Sequence, residues 1–327
     1  MKNNTLYVPV IFIGIALSAL LLAGFACKPE PKEKTYLIGY VNPSPAEKEG
    51  AHGFLRNMPK FGYSEGRNLT YIRCESKDKK VIESALRDMV AKKADLIFTI
   101  TTPATKMAQQ ITKGTNIPVV FVVYEAVESG LIESLVHPGG NLTGVQLSGS
   151  TPKTLDWLLA IAPDTQNIFV PISFDTGAAN KSLEALKRTA EMYRIKLTIS
   201  EVSTVEALRA SLASMPEDID AIFILHSILI GSNIETILET AKKRKVLLAS
   251  SGHEHHKSGA VFSYGPTDER TGWQAARLAH SILHGANPAD LPAETSDFYL
   301  GFNLKTAEAI GLEIPNDILQ QTDDIVR

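Results

Sequence analysis

The 327-residue chain has only two cysteines, Cys27 and Cys74, and no surplus of charge of either sign. Two cysteines exclude a disulfide framework and every zinc or iron–sulfur site built from several cysteines. The 33 basic residues are balanced by 36 acidic ones, for a net charge of −3. A nearly neutral chain offers no basic surface for phosphate backbones, so we expect no nucleic-acid partner.

Sequence motifs that signal catalysis are also missing. The chain contains no G-x-x-x-x-G-K-[ST], G-x-G-x-x-G, G-x-S-x-G or H-E-x-x-H pattern. A phosphate-binding loop, a dinucleotide-binding turn, a nucleophile elbow and a zinc-protease helix therefore have no support. We expect a protein that is not an enzyme and that holds no cofactor.

One long apolar run, residues 6–26, follows the single basic side chain of Lys2 and ends at Cys27. It resembles a bacterial lipoprotein signal: 1–26 would be the signal peptide, Cys27 would carry lipid of the palmitate type, and the Pro-, Lys- and Glu-rich residues 27–34 would be a tether. Gly24 and Phe25 stand where that pattern has leucine and a small residue. A cleaved signal without lipid and a retained membrane anchor are the alternatives. All three place the remaining chain outside the cytoplasm, at the cell envelope.

From Thr35 onward, short runs of β-branched and aromatic residues alternate with amphipathic helices. This alternation predicts βαβ units, and two successive runs of such units predict an α/β fold with two doubly wound parallel-sheet lobes joined by hinge crossovers. The predicted N-terminal lobe comprises 35–146 plus about 261–292, and the C-terminal lobe comprises 147–260 plus about 293–327. Strands are predicted at 36–41, 69–74, 95–100, 118–123, 168–173, 196–200, 221–225, 246–249, 260–264 and 298–302.

Ligands of open parallel sheets bind beyond the carboxyl ends of the strands. The residues that follow these predicted ends are hydroxylic, aromatic, acidic or small: 101–104, 124–125, 175–180, 226–227 and 250–253. A hydroxyl followed by proline, as at Thr102 and Pro103, also marks a helix start whose free N–H groups can hold a carboxylate. Each segment taken alone is equally typical of a structural helix cap. Their presence in both halves indicates a shared cleft.

The histidines divide into one cluster and several isolated residues. His253, His255 and His256 lie within four positions, a spacing that can ligate zinc or copper. Metal sites normally take ligands from several elements, so the pattern favours a surface loop and no metal site. His280 and His284, like His52 and His137, are interpreted as structural or exposed.

Several ordered segments carry a family resemblance: 53–55, 61–70, 94–104, 117–121, 129–135, 138–145, 303–307 and 312–315. With them, the chain from Tyr36 to its end resembles the bacterial ABC-transporter substrate-binding proteins of the group that includes tryptophan and tyrosine binders, which have a type I periplasmic-binding fold. The resemblance implies a monomeric lipoprotein that captures a small organic ligand, amino-acid-like or a related metabolite, and delivers it to ABC permease subunits. It also implies ligand contacts at Thr102, Ala104, Tyr124, Glu125, Ser148 with the segment 148–151, Ala179, Asn180, His226, Ser227, Ser251 and His253.

Two positions depart from the family pattern. Many members have Thr-x-Asp where this chain has His226–Ser227, and an acid where it has Gly252–His253. An α-amino acid in a closed cleft needs a carboxylate opposite its ammonium group, because an unpaired buried charge is costly. Glu125 remains for that role, and the replacements leave room for an anionic or neutral ligand. Alternative functions are a sensor subunit for a signalling receptor and a metal carrier that uses His253, His255 and His256.

Overall fold

Two β-sheets organise the chain. The computed structural model describes residues 34–43, 50–124, 126–147, 149–175, 177–252 and 254–327, without the side chains of 177 and 178. The described strands are β1 (Tyr36–Val41), β2 (Leu69–Cys74), β3 (Leu96–Ile100), β4 (Val119–Tyr124), β5 (Leu142–Leu147), β6 (Asn167–Ile172), β7 (Lys196–Glu201), β8 (Ala221–Ile224), β9 (Leu247–Ser250), β10 (Phe262–Pro266), β11 (Glu294–Thr295), β12 (Phe298–Asn303) and β13 (Asp324–Val326).

Helices connect nearly all of these strands. A 3₁₀ turn at Met58–Phe61 follows the first of them. The described helices are α1 (Ala51–Asn57), α2 (Lys79–Ala91), α3 (Thr102–Thr112), α4 (Ser150–Ile161), α5 (Gly177–Tyr193), α6 (Val205–Ala213), α7 (Ile228–Ser232), α8 (Ile234–Arg244), α9 (His255–Ser258), α10 (Asp268–Leu283), α11 (Leu304–Ile310) and α12 (Asn316–Leu319). Within the described ranges, no helix is both long and apolar enough to cross a membrane.

The first five strands of each sheet have the same spatial order. The first sheet runs β11-β5-β4-β3-β1-β2 and the second runs β13-β12-β10-β9-β8-β6-β7. Each therefore contains a doubly wound 2-1-3-4-5 order, with the topological switch between β1 and β3 in one sheet and between β6 and β8 in the other. Pairing is parallel throughout the described strands except between β10 and β12. The predicted fold of two doubly wound lobes is confirmed.

Alternating side chains explain why helices cover both faces of each sheet. In β1, Ile38 and Tyr40 point into a core with α1 and α10, whereas Val41 belongs to the opposite core with α2 and α3. In β6 and β8, Ile168 packs with α4 and α5, and Ile222 packs with α6 and α8. Strands buried on both faces are the reason that their sequences read as nearly continuous apolar runs. We call the first sheet with its helices the first lobe, and the second sheet with its helices the second lobe.

The chain passes between the lobes after β5, after β10 and between β11 and β12. The second of these crossings lies later than the predicted boundary near 261, because β10 pairs with β9 and β12 and so belongs to the second lobe. The return also lies later than 293, because β11 pairs with β5 in the first. A buried hydrogen bond of 2.8 Å between the hydroxyls of Thr271 and Ser296 joins two of the crossings.

The segment 138–145, which carries part of the family resemblance, contains the start of β5. All six residues of this strand are buried. Gly144 lies so close to the backbone of Phe121 on β4 that a Cβ atom would overlap it. Glycine inside a strand usually weakens it, and here it permits a close approach of two strands. The predicted signal peptide 1–26 and Cys27 lie outside the described residues.

Candidate functional site

The two lobes meet where the carboxyl ends of β4 and β8 face each other. The hydroxyl of Tyr124, the last residue of β4, lies 3.1 Å from Nδ1 of His226, which follows β8. Their rings meet edge to face with centroids 5.3 Å apart. Tyr124 is half-buried and His226 is 5% exposed. This contact brings a first-lobe and a second-lobe residue together at the edge where parallel sheets bind ligands.

A chain of hydrogen bonds holds the imidazole of His226 in place. The Ser150 hydroxyl, in the first turn of α4, donates to the Ser251 carbonyl oxygen at 2.8 Å, and its oxygen lies 3.4 Å from Nε2 of His226. Because this hydroxyl has one proton, its oxygen accepts from Nε2–H of His226. Nε2 therefore carries a proton, and Nδ1 lies within hydrogen-bond distance of the Tyr124 hydroxyl.

Gly252 supplies the space that this imidazole occupies. A Cβ atom at position 252 would lie 2.7 Å from Cε1 of His226, closer than non-bonded carbon atoms approach. Ser251 is fully buried, and its hydroxyl donates to the carbonyl of Ile224 at 3.1 Å. The turn after β9 is therefore packed directly against the residue that follows β8.

Asp175 fixes the backbone that follows His226. Its carboxylate accepts hydrogen bonds from the backbone N–H of Ile228 at 3.1 Å and of Leu229 at 2.6 Å, and from the Ser227 hydroxyl at 3.2 Å. Ser227 in turn caps α7 by accepting from the N–H of Ile230. A carboxylate on free N–H groups at a helix start is a strong arrangement, because the hydrogen bonds are charge-assisted. The loop that carries His226 is thus held from two sides.

The first lobe has a strained residue at the same edge. Thr101, between β3 and α3, has φ of 73° and ψ of 141°. A β-branched residue with positive φ is a rare outlier, and such strain occurs at binding sites that the surrounding fold holds in shape. The neighbouring Thr102 donates its hydroxyl to the Tyr124 carbonyl oxygen at 3.4 Å. Thr101 and Tyr124 therefore lie at the ends of adjacent strands, β3 and β4.

A cavity of about 440 Å³ opens between these elements. Its apolar lining includes Tyr124 and Phe298, and its charged lining consists of Lys181, Glu184 and Arg188, which follow each other on one face of α5. Two cations and one anion give these described charged residues a net charge of +1. The other lining residues are Leu147, Gly149, Ser150, Thr151, Pro152, Ser182, Ala185, His226 and Pro266.

The residues implied by the resemblance lie in different places. Tyr124 and His226 line the cavity, Ser227 and Ser251 adjoin His226, and Thr102 contacts the Tyr124 backbone. Three others lie elsewhere: the side chains of Ala104 and Ala179 are buried in hydrophobic cores and Asn180 is exposed. Glu125, Ser148 and His253 lie outside the described residues.

The other two histidines of the predicted cluster are buried and face different partners. Nδ1 of His255 lies 2.7 Å from the Ser250 hydroxyl. Both nitrogens of His256 are engaged, Nδ1 with Ser263 at 2.6 Å and Nε2 with Asp324 at 3.0 Å. The interpretation of this segment as an exposed loop is therefore wrong for His255 and His256. Within the part of the chain that the structure describes, no three His, Cys, Asp or Glu side chains are grouped to hold a metal ion.

Sequence reasoning missed the charged face of α5 and the strain at Thr101. Lys181, Glu184 and Arg188 recur at the helical spacing of three and four, which was visible in the sequence. That spacing is equally typical of a solvated helix face, so it carried no signal of a cavity. The conformation of Thr101 has no sequence signal, because threonine is a poor residue for positive φ.

The chain is similar in sequence and in fold to several known proteins. A tyrosine-binding protein of Clostridioides difficile is 27% identical over 270 residues, which cover 81% of this chain and 77% of that protein. The structure of a domain from Streptococcus pneumoniae in complex with L-Trp superposes with a TM-score of 0.74 at 22% identity, covering 90% of this chain and all of the other. A ligand-free, open substrate-binding protein with adhesive properties from Clostridium difficile gives a TM-score of 0.71 at 25% identity, with 89% and 99% covered.

A family model also matches most of the chain. The model described as ABC transporter substrate binding protein matches residues 40–326, which include all the described strands apart from the first part of β1, and every described residue of the cavity. The resemblance inferred from the sequence is thereby confirmed. Members of this family bind solutes and catalyse no reaction. The chain belongs to the ABC transporter substrate-binding protein family.

Proposed function

We propose that this chain is the extracytoplasmic receptor of an ABC importer and captures one small organic ligand, amino-acid-like or a related metabolite, between its lobes. The observation that carries the proposal is the Tyr124–His226 contact, which joins the strand ends of both lobes beside the cavity. Ligand binding beyond strand ends at a topological switch point is general for such sheets. Closure of the lobes about their crossovers would present a distinct shape to the permease subunits.

The lining of the cavity supports a ligand with an apolar part and a carboxylate. Tyr124 and Phe298 offer aromatic surface, and Lys181 and Arg188 offer positive charge. Among the described lining residues, Glu184 is the acid available to pair with an ammonium group of the ligand, and it is exposed on α5. The relative from Clostridioides difficile is named a tyrosine-binding protein and the domain from Streptococcus pneumoniae was solved with L-Trp, so these amino acids are the first probes.

Titration calorimetry with matched ligands tests this function. L-Tyrosine and L-tryptophan are compared with tyramine, which lacks the carboxylate, and with 3-(4-hydroxyphenyl)propionate, which lacks the ammonium group. Mass spectrometry of the natively purified chain identifies any ligand that co-purifies. If neither experiment finds a bound small molecule, the proposed receptor function is wrong. Binding of the propionate but not of tyramine identifies an anionic ligand.

We further propose that lipid on Cys27 anchors the chain to the membrane at the cell envelope and that the receptor is a monomer. Support comes from the apolar run that ends at Cys27 and from the charged tether that follows. Mass spectrometry of the mature N-terminus in the native host measures the added mass. Cys27→Ser should remove it and release the chain, whereas Cys74→Ser, at the other cysteine, should change neither. Light scattering of the purified chain measures its oligomeric state.

A further inference from the structure

Two histidines that look isolated in sequence form a cluster at the far end of α10. The rings of His280 and His284 have centroids 4.2 Å apart. They are four residues apart on one helix, which places both side chains on the same face. His280 is half-buried and His284 is exposed, so the pair is open to solvent.

Both Nδ1 atoms have hydrogen-bond partners within the protein. Nδ1 of His284 lies 3.0 Å from the carbonyl oxygen of His280, which only accepts, so this nitrogen carries the proton. The hydroxyl of Tyr63 lies 3.2 Å from Nδ1 of each ring. A hydroxyl oxygen can accept, so the Tyr63 contact is compatible with a proton on Nδ1 of His280, the tautomer that leaves Nε2 as a ligand. Within the described residues, neither Nε2 atom has a hydrogen-bond partner.

We propose that His280 and His284 bind a divalent transition-metal ion such as Zn²⁺, Ni²⁺ or Cu²⁺ through their Nε2 atoms. Histidines that ligate metals donate their other N–H to a fixed partner, which sets the tautomer, and here Tyr63 and the His280 carbonyl occupy that position. Imidazole is a preferred ligand of these ions, and an i, i+4 pair on one helix face is a common way to supply two ligands. Water completes the coordination.

The surroundings of the pair support a bound cation. His284 caps the carboxyl end of α10, where the helix dipole is negative. The Tyr63 hydroxyl lies on the Nδ1 side of both rings, so it is a hydrogen-bond partner of the imidazoles and leaves the Nε2 side open. Phe61, 5.1 Å from the His280 ring, shields one side of the site.

The site is remote from the ligand cavity. Pro266 lines that cavity, and α10 begins two residues later at Asp268. His280 lies twelve residues further along α10, about 18 Å along the helix axis from Asp268. Metal binding at this site and solute binding between the lobes can therefore be tested independently. Failure of one does not imply failure of the other.

Calorimetric titration of the full-length, tag-free chain with Zn²⁺ tests the proposal. We expect His284→Ala to weaken Zn²⁺ binding at this site by about tenfold or more, and Tyr63→Phe, which removes only the hydroxyl, to weaken it by about tenfold. His137→Ala, at an exposed histidine of the same lobe, is the matched control and should bind like the wild type. Unchanged Zn²⁺ binding in both His284→Ala and Tyr63→Phe would overturn the proposal, as would a wild-type chain that binds no Zn²⁺.

Fluorescence quenching by Cu²⁺ locates the ion independently. Trp273 lies on the same helix and contacts Phe61 with ring centroids 6.3 Å apart, while the other tryptophan, Trp157, lies in the second lobe. Cu²⁺ bound at the proposed site should quench the fluorescence of Trp273. The quenching should therefore disappear in Trp273→Phe and persist in Trp157→Phe. Quenching confined to Trp157 would place the ion elsewhere and contradict the proposal.

Discussion

The hydroxyl of Tyr124 in the first lobe lies 3.1 Å from Nδ1 of His226 in the second. Tyr124→Phe keeps the ring and removes this hydrogen bond. A hydrogen bond of this kind contributes about 0.5–1.5 kcal/mol, so we expect ligand affinity to fall about threefold to tenfold with little change in unfolding temperature. Calorimetry with L-tyrosine, or with the ligand that co-purifies, measures the affinity. Equal affinity of the variant and the wild type would contradict a role for the hydroxyl in binding.

Gly252→Ala should damage the site without damaging the lobes. The added Cβ atom would lie 2.7 Å from Cε1 of His226, so the imidazole must move away from Tyr124 and Ser150. Overpacking of this kind costs about 1–3 kcal/mol of stability, and we expect weaker ligand binding with it. Gly140→Ala is the control, because nothing lies within 4 Å of a Cβ atom there. Ligand binding by Gly252→Ala at the wild-type level would show that the position of His226 is unimportant.

Thr101→Gly should stabilise the protein. Thr101 has a φ of 73°, and strain of this type costs about 1–3 kcal/mol, partly offset by the larger entropy that glycine loses on folding. The expected gain in the free energy of unfolding is about 1 kcal/mol, measured by urea denaturation. Thr101→Val, which keeps the β-branch, should show no gain. A less stable glycine variant would mean that contacts of the threonine side chain outweigh the strain.

Asp175→Ala should loosen the loop that carries His226. The carboxylate accepts from the N–H groups of Ile228 and Leu229, and their loss should cost about 1 kcal/mol of stability and weaken ligand binding. Asp175→Asn retains an acceptor oxygen and should recover part of the lost stability and part of the lost ligand affinity. Thermal unfolding and ligand titration, measured side by side, detect the two effects. An alanine variant identical to the wild type in both would refute this role.

Acid should weaken the contact between α1 and α10 through Glu269. Lys60, Arg56 and Asn57 donate to this carboxylate and hold its pKa below the ordinary value of 4.5. A lowered pKa in the folded state means that the stabilisation is present above pH 4.5 and is lost as the pH falls through the folded pKa. Because Glu269 is half exposed, the effect should be small. Unfolding temperatures of the wild type and Glu269→Gln should converge as the pH falls from 6 to 3. Parallel curves would contradict the prediction.

Much of the fold could be predicted because buried segments have a recognisable local pattern of apolar residues. Strands such as β3 and β4 are continuous apolar runs, since both faces of a parallel sheet are covered. β5 was less visible because Thr143, Gly144 and Gln146 interrupt its apolar pattern. Tertiary contacts explain why these three residues occur in the strand. Gly144 lies against Phe121, and the side chains of Thr143 and Gln146 form hydrogen bonds with the backbone of Leu291 and Ala126, respectively.

The sequence by itself determined the α/β alternation, the family and the strand ends at which we propose that a ligand binds, because periodicity and turn residues are local properties. Only the tertiary structure decided which of those ends face each other. Tyr124 and His226 are 102 residues apart in the chain, and Tyr63 and His280 are 217 apart. No local pattern encodes such distances, because they depend on the order of strands in each sheet and on the crossovers that set one lobe against the other. The same reason explains why His280 and His284 read as isolated in sequence and form a cluster with Tyr63 in the fold.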